Sequence, residues 1–213
     1  MKIYCLKCDV SKYFDNVNHE VLLKLIGKKI KCGKTMSLLE KIVKSDNAEI
    51  GKGMPIGNLT SQLFANIYLN ELDYFVKRCL SERYYLRYMD DFLILDGNKK
   101  KLHRIKSEIK TFLTDKLKLE LHPKKANISP IDKGIDFLGY VVFENYKLLR
   151  KSTVKRFTKR TKKYLKMVEQ NKLTKEKFVQ SLISWAAYAK FGNSWRFRKK
   201  IGTDILNDVA AGD

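Results

Sequence analysis

The sequence predicts an α+β fold, with an antiparallel sheet covered by packed helices and followed by a helical C-terminal appendage. Three observations carry this reading. Short β-rich runs at 2–10, Arg83–Tyr88 and Phe92–Leu95 are bounded by turn residues. Two long amphipathic runs, Ser61–Cys79 and Asn98–Lys116, are interleaved with them. From Ser152 onward the pattern is helical alone.

Taken in order, residues 2–10 alternate in part and read as a strand. Asn18 caps a helix to about Lys29, with Val21, Leu22, Leu25 and Ile26 on one face, and Met36–Val43 forms a second, shorter helix. Gly51, Gly53, Pro55 and Gly57 break regularity and predict a loop. The helix that follows carries Leu63, Phe64, Ile67, Leu69, Leu72, Phe75 and Val76. The runs flanking Met89-Asp90-Asp91 pair as a hairpin with acids at its tip. Asn98 opens the next helix, Leu117–Leu121 reads as a short strand, and His122-Pro123 turns the chain. Ile135–Phe143 and Lys147–Arg150 read as a second hairpin. The C-terminal helices break near Lys172–Thr174 and at Gly192-Asn193.

The 213 residues are 44% hydrophobic and 11% aromatic, enough to build a core without staples. The formal charge of +21 points to a polyanionic partner, nucleic acid before an anionic membrane. The charge is unevenly placed: residues 147–200 hold 18 Lys/Arg against only Glu169 and Glu176. Aromatics such as Phe157, Trp185 and Phe197 are interleaved there, which suits helices with an aromatic core and a face for phosphates. No run approaches the ~18 apolar residues of a membrane span, and the N-terminus lacks the apolar stretch of a secretory signal. A cytoplasmic protein without membrane contact is expected. Cys5-x-x-Cys8 looks like half a zinc site, but no second pair follows, so Cys5 and Cys8 read as small buried hydrophobes.

Asp9 ends a strand, and Asp90-Asp91 sit at a hairpin tip. Clustered carboxylates are costly unless neutralised, and oxygen ligands suit Mg²⁺, which keeps positions for phosphate oxygens. Two such ions, roughly 4 Å apart, can activate an attacking hydroxyl and stabilise a leaving oxygen. Taken alone, an Asp-Asp pair at a turn is also an ordinary solvated tip.

Context favours the chemistry. Tyr88-Met89-Asp90-Asp91 between two apolar strands resembles the signature hairpin of reverse transcriptases, and further motifs of that family follow in order. Asp9-Val10-Ser11-Lys12-Tyr13-Phe14-Asp15 resembles the first palm motif; Gly53-Met54-Pro55-Ile56-Gly57-Asn58-Leu59-Thr60-Ser61-Gln62 resembles the loop and helix that face template and nucleotide. Leu119-Glu120-Leu121-His122-Pro123-Lys124-Lys125 and Phe137-Leu138-Gly139-Tyr140 resemble the later motifs. The resemblance implies a right-hand polymerase palm that synthesises DNA on RNA. It implies metal ligation by Asp9, the Val10 carbonyl, Asp90 and Asp91, with two Mg²⁺ that Mn²⁺ can replace. Lys125 is implied near the departing pyrophosphate, and Tyr13, Phe14, Pro55, Ile56 and Gly57 at the nucleotide. Phe14 matches the residue that excludes a 2′-OH. Phe137, Leu138, Gly139 and Tyr140 are implied to grip the primer. The basic C-terminal third, including Arg150, Lys155, Arg156, Arg160, Arg196 and Arg198, is expected to contact nucleic acid.

The implied partners are an RNA template, a DNA primer and deoxynucleoside triphosphates, with an accessory protein left open. The resemblance is closest to group II intron-like bacterial enzymes. It leans toward the diversity-generating retroelement type, because Ile56 replaces a common Gln and Ser61-Gln62 a common Ser-Pro. That type implies error-prone copying. The expected organisation is a palm at 1–146 and a basic helical thumb at 147–213, with the family's preceding fingers region absent. The alternative is a maturase-like or remnant RNA-binding protein without polymerase activity.

Overall fold

A computed structural model describes residues 2–45, 50–55 and 57–199. It forms two compact units, Met1–Pro130 and Ile131–Asp213.

The first unit is built around β1 (Tyr4–Asp9). Its pleat turns Leu6 and Cys8 into the core and leaves Lys7 and Asp9 on the other face. Then come α1 (Tyr13–Asn16), α2 (His19–Gly27), α3 (Gly33–Val43) and α4 (Leu59–Tyr74). The hairpin of β2 (Tyr85–Tyr88) and β3 (Asp91–Asp96) precedes α5 (Lys99–Leu117) and β4 (Asn127–Pro130). All strand pairs are antiparallel, in the order β2-β3-β1-β4. The β1–β3 register runs from Tyr4↔Asp96 to Asp9↔Asp91.

The helices form for legible reasons. Asn18 accepts from the Val21 N–H at 3.0 Å and starts α2. Asn98 does the same for α5 through the Lys101 N–H at 3.1 Å. Leu102, Ile105, Ile109, Leu113 and Leu117 fall on one buried stripe of α5, and Lys118 ends the helix with φ 52°. From α4, Phe64, Tyr68, Leu69 and Leu72 enter the same core, and the Tyr68 hydroxyl donates to the Leu117 carbonyl at 2.6 Å. Each fully buried aliphatic side chain contributes roughly 1.5–3 kcal/mol. A five-residue π turn, Phe75–Cys79, continues α4, and Phe75 stacks on Phe112 with centroids 4.2 Å apart.

In the second unit, β5 (Ile135–Phe137), β6 (Tyr140–Val142) and β7 (Lys147–Leu149) form an antiparallel meander. Leu138 and Gly139 turn between β5 and β6 with φ 49° and 87°, the signs a two-residue hairpin favours. A Cβ at Gly139 would collide with the Tyr188 hydroxyl. α6 (Lys151–Glu169) and α7 (Lys175–Lys190) follow, and Phe157 stacks on Trp185 at 3.7 Å between centroids. No helix among the described residues is long and apolar enough to cross a membrane.

Two expectations need correction. Leu117–Leu121 is not a strand: α5 runs through Leu117, and only Leu121 makes a bridge, to Val10. The hydrophobic stripe of the helix outlasts the apparent β pattern. Ile135–Phe143 is two strands, because its Leu-Gly pair adopts positive φ and reverses the chain.

Candidate active site

Three segments converge at one end of the four-stranded sheet. β1 delivers Asp9, the β2–β3 turn delivers Asp90 and Asp91, and the turn after Leu121 delivers Lys125. Asp9 and Asp91 stand opposite one another and therefore share a face with Lys7. The Val10 N–H donates to the Asp90 carbonyl at 3.3 Å, and the His122 N–H to the Asp9 carbonyl at 2.8 Å. The backbone thus ties all three segments together.

The electrostatics are those of a crowded acidic site with lysines as counter-charges. Asp9 is buried, and its Oδ2 accepts from Lys125 Nζ at 2.9 Å. That bond, with the fields of Asp9, Asp91 and Asp90, raises Lys125 above the ordinary lysine value. Burial raises the Asp90 carboxyl, and the nearby Asp9 and Asp91 add to this. Lys7 Nζ lies 3.6 Å from Asp91 Oδ1, a buried atom without a hydrogen bond from the described residues.

The donor set is hard and all-oxygen. Among the described residues no three His, Cys, Asp or Glu side chains are gathered to hold a metal by themselves. Asp9 and Asp90 nevertheless form a like-charged, partly buried pair whose mutual field raises Asp90, the setting that a cation relieves. The Val10↔Leu121 bridge is closed by its neighbours, Ser11 N–H to Glu120 and His122 N–H to Asp9, so the ladder does not use the Val10 carbonyl. One or two carboxylates and a carbonyl suit Mg²⁺, which takes its other ligands from phosphate and water.

Phe14 is half-buried beside the glycine-rich loop. The Met54 N–H donates to the Phe14 carbonyl at 3.0 Å, the Gly53 N–H to Val17 at 2.9 Å, and His19 Nε2 bonds the Gly53 carbonyl at 2.8 Å. Ser61 Oγ donates to the Pro55 carbonyl at 2.6 Å, and Gly57 is exposed with φ 100°. Tyr13 sits in the core, its hydroxyl donating to the Ala65 carbonyl at 2.6 Å. Ile56 lies outside the described residues.

In the second unit, Phe137 is buried, Leu138 is exposed, and the Tyr140 hydroxyl donates to the Tyr188 carbonyl at 2.8 Å. Arg150 pairs with Asp136, while Lys155, Arg156 and Arg160 are exposed along α6. Arg196 is exposed and Arg198 partly buried. Sequence reading missed Lys7, which alternation along β1 places on the Asp9 face, and His19, which no local pattern marks.

The sheet, its covering helices and its acidic end define a polymerase-type fold. It is shared with solved telomerases: that of Candida tropicalis with a fragment of telomeric RNA (TM-score 0.53, 16% identity, 67% of this chain and 28% of that one) and that of Candida albicans with such a fragment (TM-score 0.52, 13% identity, 71% and 31%). Residues 1–142 match the model of the reverse transcriptase (RNA-dependent DNA polymerase) family, and the chain belongs to that family. It is 31% identical over 175 residues to Protein YkfC of Escherichia coli K12, covering 64% of this chain and 46% of that protein. It is 30% identical over 225 residues to the group II intron-encoded protein LtrA of Lactococcus lactis subsp. cremoris, covering 74% and 37%. The chain thus spans less than half the length of these curated relatives.

Proposed function

We propose that this chain carries the palm and the thumb of an RNA-directed DNA polymerase that extends a DNA primer on an RNA template. The observation that carries the reading is the meeting of Asp9, Asp90, Asp91 and Lys125 at one sheet end, in a chain of this family. Asp9 and Asp90, with the Val10 carbonyl, would hold two Mg²⁺, and Asp91 would support them. Such ions, when bound, supply activation of the primer 3′-hydroxyl and charge stabilisation at the α-phosphate. Lys125 would offer its charge to the departing pyrophosphate. Phe14 would stand against the nucleotide sugar, and the loop strapped to it would face the nascent base pair. The exposed basic residues of α6 would track the duplex backbone.

We further infer a bacterial retroelement of the diversity-generating or a related type, with error-prone copying, from Ile56 and the Ser61-Gln62 ending of its motif. The domain limits proposed are 1–146 for the palm and 147–213 for the thumb.

The test is Mg²⁺-dependent extension of a DNA primer on RNA by the full-length protein, with Asp90→Asn as control. An amide cannot carry the charge that balances cations and a crowded phosphate. Extension by the wild type and its loss in a folded Asp90→Asn variant support the reading. Near wild-type extension by that variant overturns the site assignment. No extension by either, with RNA still bound, favours the RNA-binding alternative.

A further inference from the structure

The hairpin that carries Asp90 and Asp91 is fixed at a point the motifs do not mark. Met89, at its tip, adopts φ 53°, a left-handed conformation that is unfavourable for a non-glycine residue. Something must hold the turn there. Arg87, two residues earlier on β2, donates to the Met89 carbonyl at 3.0 Å through Nη1. The rest of its guanidinium is anchored elsewhere: Nε to Asp73 Oδ1 at 2.7 Å and Nη2 to Asp73 Oδ2 at 2.5 Å, a two-pronged pair. Nη1 also reaches Asn66 Oδ1 at 3.3 Å.

Asp73 and Asn66 lie seven residues apart on α4, on one helix face. The Tyr85 hydroxyl, one alternation before Arg87, adds a bond to Asp73 Oδ1 at 2.6 Å. The Arg87 side chain is only 10% exposed. A pair this deep is weak evidence for stability, since desolvation offsets much of its attraction. A lysine would still supply a positive charge to Asp73, though not the two-pronged geometry. What only a guanidinium does is bind Asp73 with one edge while donating to the Met89 carbonyl with the other.

We propose that Arg87, held by Asp73, is a positioning residue that latches the Met89-Asp90-Asp91 turn to α4 and sets where its carboxylates stand. This rests on the polymerase reading for its kinetic consequence, while the latch itself is a property of the fold. Because α4 begins at the loop facing the base pair, the latch also joins the two halves of the site through one rigid helix.

The test compares wild type, Arg87→Lys and Asp73→Asn in the full-length protein. Thermal unfolding, hydrogen exchange of residues 84–94, and primer extension are measured together. The latch predicts that Arg87→Lys keeps the unfolding temperature within a few degrees. It also predicts faster exchange at the hairpin tip, and a kcat about 10²-fold lower with the nucleotide KM little changed, the scale of a 1 Å misplacement. Unchanged exchange at the tip in both variants overturns the proposal. So does a kcat that falls only as far as the folded fraction falls. If wild type extends no primer, the polymerase reading fails on its own, and the exchange of the hairpin still decides the latch.

Discussion

Lys125 and Asp9 are joined by an ion pair of 2.9 Å between residues 116 apart in sequence. The ammonium is the hydrogen-bonded counter-charge of the buried carboxylate, and it also feels Asp91 and Asp90. A lysine so placed is already at the site before any phosphate arrives. Lys125→Met is expected to lower kcat for primer extension by about 10²-fold or more, the lower range for an assisting acid or charge. Lys125→Arg keeps the charge and is expected to retain more of the rate. Equal rates in wild type and Lys125→Met would remove Lys125 from the chemistry.

Phe14 is half-buried on α1, where the Met54 N–H of the glycine-rich loop bonds its carbonyl, and on the proposed reading its ring would stand beside the nucleotide sugar. Phe14→Ala is expected to admit ribonucleotides, because steric exclusion and not hydrogen bonding sets the preference. The measurement is the ratio of kcat/KM for a deoxynucleotide and its ribo counterpart. An unchanged ratio would make Phe14 a packing residue only.

On the proposed reading, Ile56 would offer only shape where a glutamine could donate and accept. Contact alone separates near-isosteres by only ~1–3 kcal/mol. Ile56→Gln is expected to lower the error rate on a defined RNA template, read by sequencing the products. An equal or higher error rate would detach fidelity from this position.

The exposed basic residues of α6 should bind phosphates. Replacing Lys155, Arg156 and Arg160 together with Gln is expected to weaken primer–template binding regardless of sequence. The slope of log K against log salt should become shallower by roughly 0.9 for each phosphate that is no longer neutralised. A slope that does not move would mean that this face is merely solvated.

Thiol chemistry gives a test independent of activity. Burial pushes the Cys5 thiol up to about 11, whereas Thr35 lowers the exposed Cys32 thiol. The thiolate is the reactive form. Near pH 7.5 Cys32 is therefore expected to alkylate quickly, and Cys5 and buried Cys8 only on unfolding. Fast labelling of Cys5 in the folded protein would contradict the buried β1.

Much of the fold was legible because local signals agreed with tertiary packing. Asn18 and Asn98 cap the helices they precede, and the α5 stripe fills the core. β4 was not legible: Asn127-Ile-Ser-Pro has one apolar side chain, and it is a strand only because β1 offers it an edge. The positions of Asp9 at a strand end and of Asp90 and Asp91 at a hairpin tip were legible from alternation and turn chemistry, while the role proposed for them rests on motif order. The Arg87–Asp73 pair was not, because nothing in either segment reports that a helix end and a strand will meet.

The position of β1 in the sheet has a consequence for how the protein is made. Its partners are β3, about ninety residues later, and β4, later still. During synthesis β1 precedes both partners and stays unpaired at least until β3 has been made. The β2–β3 hairpin can close locally, but the long-range pairing of β1 is the slow step that contact order predicts. A nascent chain interrupted before β3 is made would leave β1 an unpaired apolar strand, the natural target for a chaperone.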